Sequence, residues 1–314
     1  MARLNSDIQP NIRTKMHRIT SGYMHMVARI SQPHLLRPLE SHIEISSMSV
    51  RLYADELFLT NAQIGAVRSI SLRSGLLGVR DAFHISSEAG HLHGACYIPS
   101  IYSLLLCISE GGLSWLMALS HDGPEWSERA RIPIASPTGH IWLLNVSTPT
   151  VLFAERGSSL LRIERITNEY AIETMGQINL SGKILAIDAR ADEKKDSLVV
   201  VAYENESIAL YRLVDNTLCE FLRFEEPDVS SVLLLSDRLL AAIQPKYPTS
   251  DRNSQSIVEL ELNLESENEN ACSSQHRELL GRNEGIVVGC WCVAGQKVAL
   301  WDFNSGDILL YSLR

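Results

Sequence analysis

Six similar segments recur along the chain at a nearly constant spacing, and this recurrence constrains the fold more than any other feature. Each segment is a short apolar run beside residues that favour turns. The segments begin at Gly65 (GAVRSISLRSG), Gly112 (GLSWLMALSHDG), Ser158 (SSLLRIERITNE), Glu206 (ESIALYRLVDN), Gln255 (QSIVELELNLE) and Gly306 (GDILLYSLR). Their starts lie 46 to 51 residues apart, a period typical of repeats with four short strands. The sequence therefore predicts an all-β β-propeller of about six four-stranded blades, with each segment as a third strand.

The stretch from Ile184 to Phe224 shows the content of one repeat. It holds four β-like runs, ILAID, SLVVVAY, IALYRL and CEFLRF, separated by charged or Asn-containing turns. Nothing between the runs is long enough for a crossover helix, so they predict an antiparallel meander. A β-sandwich gives no reason for a six-fold recurrence, and a β-helix would need a much shorter repeat.

Glycine-histidine pairs precede two of the predicted innermost strands, at Gly90-His91 and Gly139-His140. Gly182-Lys183 keeps the glycine at the next repeat, and a Trp-Asp dipeptide occurs at Trp301-Asp302. Through these residues the chain resembles a divergent WD-repeat protein. The resemblance extends over about residues 35–314 in rhythm but over few positions in motif, and it implies the propeller fold rather than a particular activity.

The last repeat indicates how the ring would close. If KVALWDF is a second strand and DILLYSL a third, the chain ends one strand short of a complete blade. The alternative frame makes KVALWDF the third strand, as its Trp-Asp dipeptide suggests. We favour the first frame and expect the missing outer strand to come from Leu36–Ser46 (LRPLESHIEIS), because closure removes an exposed strand edge.

Residues 1–34 then form a basic N-terminal extension, and residues 35–314 form a single propeller domain. Within the extension, Gly22–Ile30 (GYMHMVARI) resembles another third strand, 43 residues before Gly65. A partial seventh blade, or a strand that pairs with a partner, is therefore left open. Nuclear-pore and vesicle-coat scaffold propellers are similar in this respect, since an open ring in that group accepts a blade from a partner that completes it.

The motifs of common enzymes are missing from the sequence. It has no phosphate-binding glycine loop, no G-x-S-x-G elbow and no His-Glu-x-x-His zinc motif. We therefore predict a non-enzymatic chain without catalytic residues, cofactor or metal site. The rival interpretation is a propeller enzyme whose central channel collects side chains from several blades, such as His91, His140, Asp188 and Glu284.

Charge is unevenly distributed between the N-terminal extension and the body. The net charge of −9 divides into +4 for residues 1–40 and −13 for the remainder. An acidic body lacks the broad positive face of a nucleic-acid-binding protein. Contact with nucleic acid would thus involve the basic arm alone, with Arg13, Lys15 and Arg18. We prefer a protein-docking role for this arm and keep nucleic-acid association as the alternative.

Two further residues are predicted to bind protein partners. Trp126 lies between charged residues in SHDGPEWSERARIP, where it could anchor an interface or pack against its own blade, and Tyr247 lies in the polar loop QPKYPTSDRNSQ. The first residues lack a secretory signal, and no apolar run is long enough to span a membrane. We therefore expect free cysteines, no membrane insertion and a location in the nucleus or cytoplasm.

Overall fold

The computed structural model is built almost entirely of β-strands. It describes residues 24–30, 48–53, 56–61, 65–72, 78–84, 90–122, 125–135, 140–145, 149–154, 158–190, 197–215, 217–235, 238–244, 255–262, 272–281 and 284–313. A short 3-10 turn at Pro99–Ile101 interrupts the strands. In this part of the chain, the all-β prediction is confirmed.

The described strands pair into six four-stranded antiparallel sheets, numbered I to VI. Sheet I holds β2 (Met48–Tyr53), β3 (Glu56–Asn61), β4 (Ala66–Ser71) and β5 (Gly78–His84), and sheet II holds β6 (His91–Ile98), β7 (Ser103–Glu110), β8 (Leu113–Asp122) and β9 (Glu125–Ile134). Sheet III holds β10 (His140–Asn145), β11 (Thr150–Ala154), β12 (Leu160–Ile166) and β13 (Ile172–Asn179), and sheet IV holds β14 (Ile184–Arg190), β15 (Ser197–Tyr203), β16 (Ser207–Val214) and β17 (Thr217–Glu225). Sheet V holds β18 (Val229–Leu234), β19 (Arg238–Ile243), β20 (Ser256–Leu262) and β21 (Cys272–Leu280), and sheet VI holds β22 (Val288–Ala294), β23 (Lys297–Asp302), β24 (Ile308–Leu313) and β1 (Met24–Ile30).

The sheets follow one another around a ring. The first strands of sheets II to VI contact one another in order, β22 of sheet VI contacts β2 of sheet I, and β3 of sheet I contacts β6 of sheet II. Apolar side chains of neighbouring sheets share cores in the spaces between them. This arrangement is a β-propeller.

Polar contacts also join sheet VI to sheet V. The Trp291 indole of β22 donates to the Val232 carbonyl of β18 at 2.9 Å. The backbone N–H of Val288 donates to the Gln255 side chain at 2.8 Å. Because both bonds are buried, they fix sheet VI against sheet V as well as satisfying buried polar groups.

The predicted third strands are confirmed in all six sheets. They correspond to β4, β8, β12, β16, β20 and β24. The four runs between Ile184 and Phe224 correspond to β14–β17, which pair in chain order as a meander. The favoured frame of the last repeat is also confirmed, because Trp301-Asp302 ends the second strand of sheet VI.

The prediction for the closing strand was wrong in its position. The outer strand of sheet VI is β1 (Met24–Ile30), which pairs antiparallel with β24, so the place expected for Leu36–Ser46 is taken. Leu36–Ser46 and the predicted domain boundary at residue 34 lie outside the described residues. Of the predicted Gly22–Ile30 segment, Met24–Ile30 forms the fourth strand of the last sheet, rather than the third strand of a seventh blade.

A β-bulge at Val27 explains how β1 serves two sheet interfaces. The register with β24 shifts between Met26 and Ala28, so the alternation of side chains reverses within the strand. Met24 is consequently buried in the core shared with sheet V. Ile30, at the other end, is buried in the core shared with sheet I. One seven-residue strand therefore ties the last sheet to both of its neighbours.

Candidate interaction surfaces

The alternating strand directions place the connecting loops on two opposite faces of the ring. We call the face where each first strand begins the entry face; it carries the turns between second and third strands, such as Gly111–Gly112 and Phe303–Ser305. The other face, the exit face, carries the turns between first and second strands, such as the one at Tyr102. Function on this scaffold depends on what these loops and the outer strands present.

A tightly bonded turn presents Phe303 on the entry face. The Asp302 carboxylate is buried and accepts the Val287 N–H at 3.0 Å and the Ser305 hydroxyl at 2.6 Å. The Phe303 N–H donates to the Val287 carbonyl at 2.8 Å. With its backbone fixed in this way, the Phe303 ring is still 50% exposed. The aromatic group is thus held ready for a contact at little cost in conformational entropy.

Tyr102 occupies a comparable position on the exit face. It follows the 3-10 turn in the left-handed region at φ 46°, and its N–H donates to the Pro99 carbonyl at 3.3 Å. Its side chain is 69% exposed. Backbone strain in a non-glycine residue is often found at functional positions, and here it directs an aromatic ring into solvent.

Two outer strands carry an identical pair of charged residues across a bulge. In sheet II, Arg131 forms a bidentate ion pair with Glu128 at 2.8 and 2.9 Å. In sheet IV, Arg223 forms the same pair with Glu220 at 2.6 and 2.7 Å. We call these pairs the Glu-x-x-Arg clasps. Their spacing in the sequence is twice the repeat length, a signal that our sequence analysis missed.

The sheet IV clasp extends into a network of hydroxyl groups. Tyr211 donates to Glu220 at 2.9 Å and contacts the Tyr203 hydroxyl. Arg223 donates to Ser181 at 2.7 Å, in the connection from sheet III, and lies over the Tyr203 ring at 4.9 Å. The network therefore joins three strands of sheet IV to the loop that enters it.

Electrostatic effects on these groups follow from the contacts. Arg223 lowers the pKa of Glu220, with a smaller contribution in the same direction from the Tyr211 hydroxyl, although partial burial opposes it. Burial raises the pKa of Tyr211, and its bonds to Tyr203 and Glu220 act in the same direction. At neutral pH the clasp is thus a carboxylate–guanidinium pair next to a neutral Tyr211.

The lowered pKa of Glu220 predicts a pH-dependent contribution to stability. Because ionised Glu220 is favoured in the folded state, its stabilisation is present above the unfolded pKa and is lost as pH falls through the folded pKa. We expect Glu220→Gln to lower the free energy of unfolding by about 1 kcal/mol or less at pH 7, since the pair is partly exposed, and to have a smaller effect at pH 3. Urea titrations at both pH values measure this. The matched control is Glu225→Gln on the same strand; an equal effect of both variants at pH 7 would contradict the assignment.

The four residues considered for a channel enzyme lie on different elements of the fold. His91 is exposed at the start of β6, and His140 begins β10. Asp188 accepts the Leu234 N–H at 2.8 Å and so joins β14 to β18. Glu284 is exposed in the connection between sheets V and VI. The Asp188 carboxylate therefore makes a structural contact between two neighbouring sheets.

His93 also makes a contact within its own sheet. It shares a strand with His91 and lies 2.7 Å from the Ser109 hydroxyl. Burial lowers its pKa, with a smaller contribution from His91. Among the described residues, no group of three His, Cys, Asp or Glu side chains is arranged to hold a metal ion.

The predicted partner-binding residues are only partly covered by the structure. Trp126 lies on the outer strand β9, partly buried against the core of Phe58, Val67 and Leu92, which corresponds to the packing alternative. Its role in binding remains a prediction. Arg13, Lys15, Arg18 and Tyr247 lie outside the described residues. The structure adds Phe303 and Tyr102, which the sequence analysis missed because their exposure depends on turn geometry.

Cys96, Cys107, Cys219, Cys290 and Cys292 are free thiols. Within the described ranges, no helix has the length and apolar character needed to cross a membrane.

Comparison with solved structures places the ring among known propellers. The Cps50 (Swd1) β-propeller domain of Myceliophteria thermophila aligns with a TM-score of 0.56 at 14% identity, covering 85% of this chain and 82% of that one. A chain in the mitotic checkpoint complex aligns with a TM-score of 0.59 at 8% identity, covering 92% and 95%. The chain has the fold of a β-propeller.

The propeller fold alone leaves function undetermined. The PQQ-bound aldose sugar dehydrogenase of Streptomyces coelicolor also aligns, with a TM-score of 0.58 at 10% identity, covering 94% of this propeller and 99% of that chain. At such identities the likeness shows the fold. No protein-family model and no curated protein sequence matches the propeller.

Proposed function

We propose that this chain is a non-catalytic scaffold subunit, a propeller of six blades that mediates protein–protein interactions within a multiprotein complex of the nucleus or cytoplasm. The observation that carries the proposal is the presentation of large aromatic side chains on fixed turns at both faces of the ring. Phe303 and Tyr102 are exposed while their backbones are hydrogen-bonded. Exposed aromatic residues on a preorganised backbone are typical anchors of protein interfaces.

The chemistry of the described polar residues supports the same proposal. The Glu-x-x-Arg clasps, Asp302 and Asp188 each contact neighbouring strands or turns. Their hydrogen-bonding capacity is directed toward holding the sheets and turns together. Such a rigid body offers two loop faces and an outer rim to partners. The alignment with a chain of the mitotic checkpoint complex, over 92% of this chain, agrees with membership of an assembly.

Affinity purification of the chain at its native level tests the proposal. We expect stoichiometric partner proteins, and we expect Phe303→Ser or Tyr102→Ser to release at least one of them while leaving the melting temperature unchanged. Leu113→Ser, on an exposed position of the entry face, is the matched control for loss of an exposed apolar group. Recovery of a monomer with no partner would contradict the proposal, and so would turnover of a substrate by the purified chain.

A further inference from the structure

Aromatic and acidic side chains converge on the exit face where sheets I and II meet. Phe58 of β3 and Tyr97 of β6 stack across this boundary, with ring centroids 4.6 Å apart and 17° between the ring planes. Phe58 packs in the core that sheet I shares with sheet II. Glu56 lies two residues before Phe58 and therefore projects from the same face of β3. Its exposed carboxylate is thus directed toward sheet II at the rim of the stack.

Tyr102 belongs to the same group of side chains. Tyr97 pairs with Leu104, which packs in the core with Phe58, so this side of sheet II faces sheet I. Tyr102 comes two residues before Leu104, in the turn that joins β6 to β7. Burial is the main cause that raises the pKa of Tyr97, and Glu56 and Tyr102 act in the same direction. Both groups therefore lie close enough to the Tyr97 hydroxyl to interact with it electrostatically. We call Glu56, Tyr97 and Tyr102 the exit-face cluster.

Elsewhere in the ring, the chain combines an aromatic side chain and a glutamate with an arginine. In sheets II, III and IV a guanidinium group lies 4.9 to 5.6 Å from the centre of an aromatic ring and forms an ion pair with a glutamate. The triads are Arg131–Glu128–Trp115, Arg162–Glu164–Phe153 and Arg223–Glu220–Tyr203. Each triad joins a charge-assisted hydrogen bond to a cation–π contact on the same guanidinium.

The exit-face cluster has the aromatic and acidic parts of such a triad. Among the described residues, no lysine or arginine forms an ion pair with Glu56. The Tyr102 side chain is 69% exposed, and no guanidinium of the described part of the chain lies over its ring. The carboxylate favours a cation at this place and disfavours an anion. A cation supplied from outside the chain would therefore complete the triad.

We propose that the exit-face cluster binds an arginine side chain presented by a partner protein. This inference rests on the proposed function and names the chemistry that a partner brings to one of the two exposed aromatic residues. The guanidinium lies over the Tyr102 ring and donates to the Glu56 carboxylate and to the Tyr97 hydroxyl. Arginine suits the site better than lysine, because its flat group stacks on rings, pairs with a carboxylate through two hydrogen bonds and is more weakly hydrated.

A short peptide followed by NMR tests the proposal. The probe is a peptide of glycine and serine with a single central arginine and blocked ends, added to the full chain labelled with carbon-13 in its tyrosine rings. Tyr97→Phe and Tyr102→Phe assign the two resonances. We expect both resonances to shift saturably at millimolar peptide, and the binding to weaken with salt.

Variants of the chain locate the binding. Glu56→Gln and Tyr102→Ser should each weaken binding at least about fivefold. Both positions are exposed, so the melting temperature should stay the same. Glu204→Gln, at an exposed glutamate of an entry-face turn, is the matched control and should leave binding unchanged. Equal binding by the Glu56→Gln variant and the unmodified chain would overturn the proposal.

Matched ligands separate the charge of the guanidinium from its shape. A peptide with citrulline in place of arginine keeps the shape but is neutral, and it should bind at least about tenfold more weakly. The lysine peptide should also bind more weakly than the arginine peptide. Equal binding of the citrulline peptide, tighter binding of a glutamate peptide, or no shift of Tyr97 and Tyr102 with the arginine peptide would each overturn the proposal.

Affinity purification distinguishes a failure of this inference from a failure of the proposed function. We expect Glu56→Gln to release the same partner as Tyr102→Ser. Release by Tyr102→Ser alone would overturn the arginine site and leave the scaffold role standing. Recovery of the unmodified chain without partners, together with specific binding of the arginine peptide, would overturn the scaffold role and leave the arginine site standing.

Discussion

Ile30→Ala should lower the free energy of unfolding by about 2 to 4 kcal/mol. The Ile30 side chain is fully buried in the core that sheet VI shares with Leu57 and Leu59 of sheet I. Truncation removes the transfer free energy of the lost methyl and methylene groups and leaves a cavity between two sheets that are held by their own hydrogen bonds. The loss falls at the point where the ring closes, so we expect it to lower the stability of the whole fold.

Equilibrium urea unfolding, followed by tryptophan fluorescence, measures this effect. Val27→Ala is the matched control, because Val27 is a branched aliphatic residue of the same strand that is exposed at the bulge. We expect that control to change the free energy by no more than about 0.5 kcal/mol. Equal effects of the two variants would show that the anchoring role of Ile30 is wrong.

Gly289→Ala adds a single methyl group, yet it should lower the free energy of unfolding substantially. A Cβ atom at Gly289 would lie 2.3 and 2.4 Å from two ring carbons of Trp301. The indole is buried in a core with Ile308, Ala299 and Leu57. Overpacking of this kind typically costs about 1 to 3 kcal/mol, and the severity of the overlap predicts the upper end of that range or a failure to fold.

A second-site variant distinguishes this overlap from a general intolerance of the position. Trp301→Leu removes the ring carbons that a new Cβ would meet, although the variant itself leaves a cavity. In the Trp301→Leu background, Gly289→Ala should cost less than about 1 kcal/mol, which a double-mutant cycle of urea titrations would show as strong coupling. Additive effects would mean that the contact with Trp301 is not the cause.

The third strands were predictable because their information is local. Each third strand is a short apolar run bounded by residues that favour turns, as in β16 (Ser207–Val214). The constant spacing of the six runs supplied further evidence, which no single segment contains. The frame of the last repeat followed from the same spacing. The Trp-Asp dipeptide at Trp301 favoured the alternative frame, which the structure does not adopt. The spacing was the better guide, because a two-residue motif carries less information than six aligned strands.

The closing strand could not be placed in the same way. Leu36–Ser46 and Met24–Ile30 both have strand-like composition, and nothing in either segment identifies β24 as the partner. The bulge at Val27 further obscures the pattern, because it reverses the alternation and allows Met24 and Ile30 to be buried on opposite sides. The identity of the closing strand depends on pairing between residues that are far apart in the chain, and sequence periodicity carries no information about such pairing.

The candidate surfaces were predictable only where exposure follows from composition. Trp126 appeared to be a loop residue because it is flanked by charges, yet it belongs to β9 and packs against a core. Phe303 gave no signal, since its exposure results from the bonds that Asp302 makes within the turn. The Glu-x-x-Arg clasps were visible in the sequence as two copies of one short pattern, at a separation of two repeats.

The position of β1 has a consequence for how the molecule is made. Among the described strands β1 is the first along the chain, but it pairs with β24, the last of them. During synthesis on the ribosome it therefore waits without its partner while sheets I to V form, and the ring closes only after residue 313 has emerged. Such a long sequence separation slows the final step, and until then the edge of sheet VI is open to incorrect pairing with other chains.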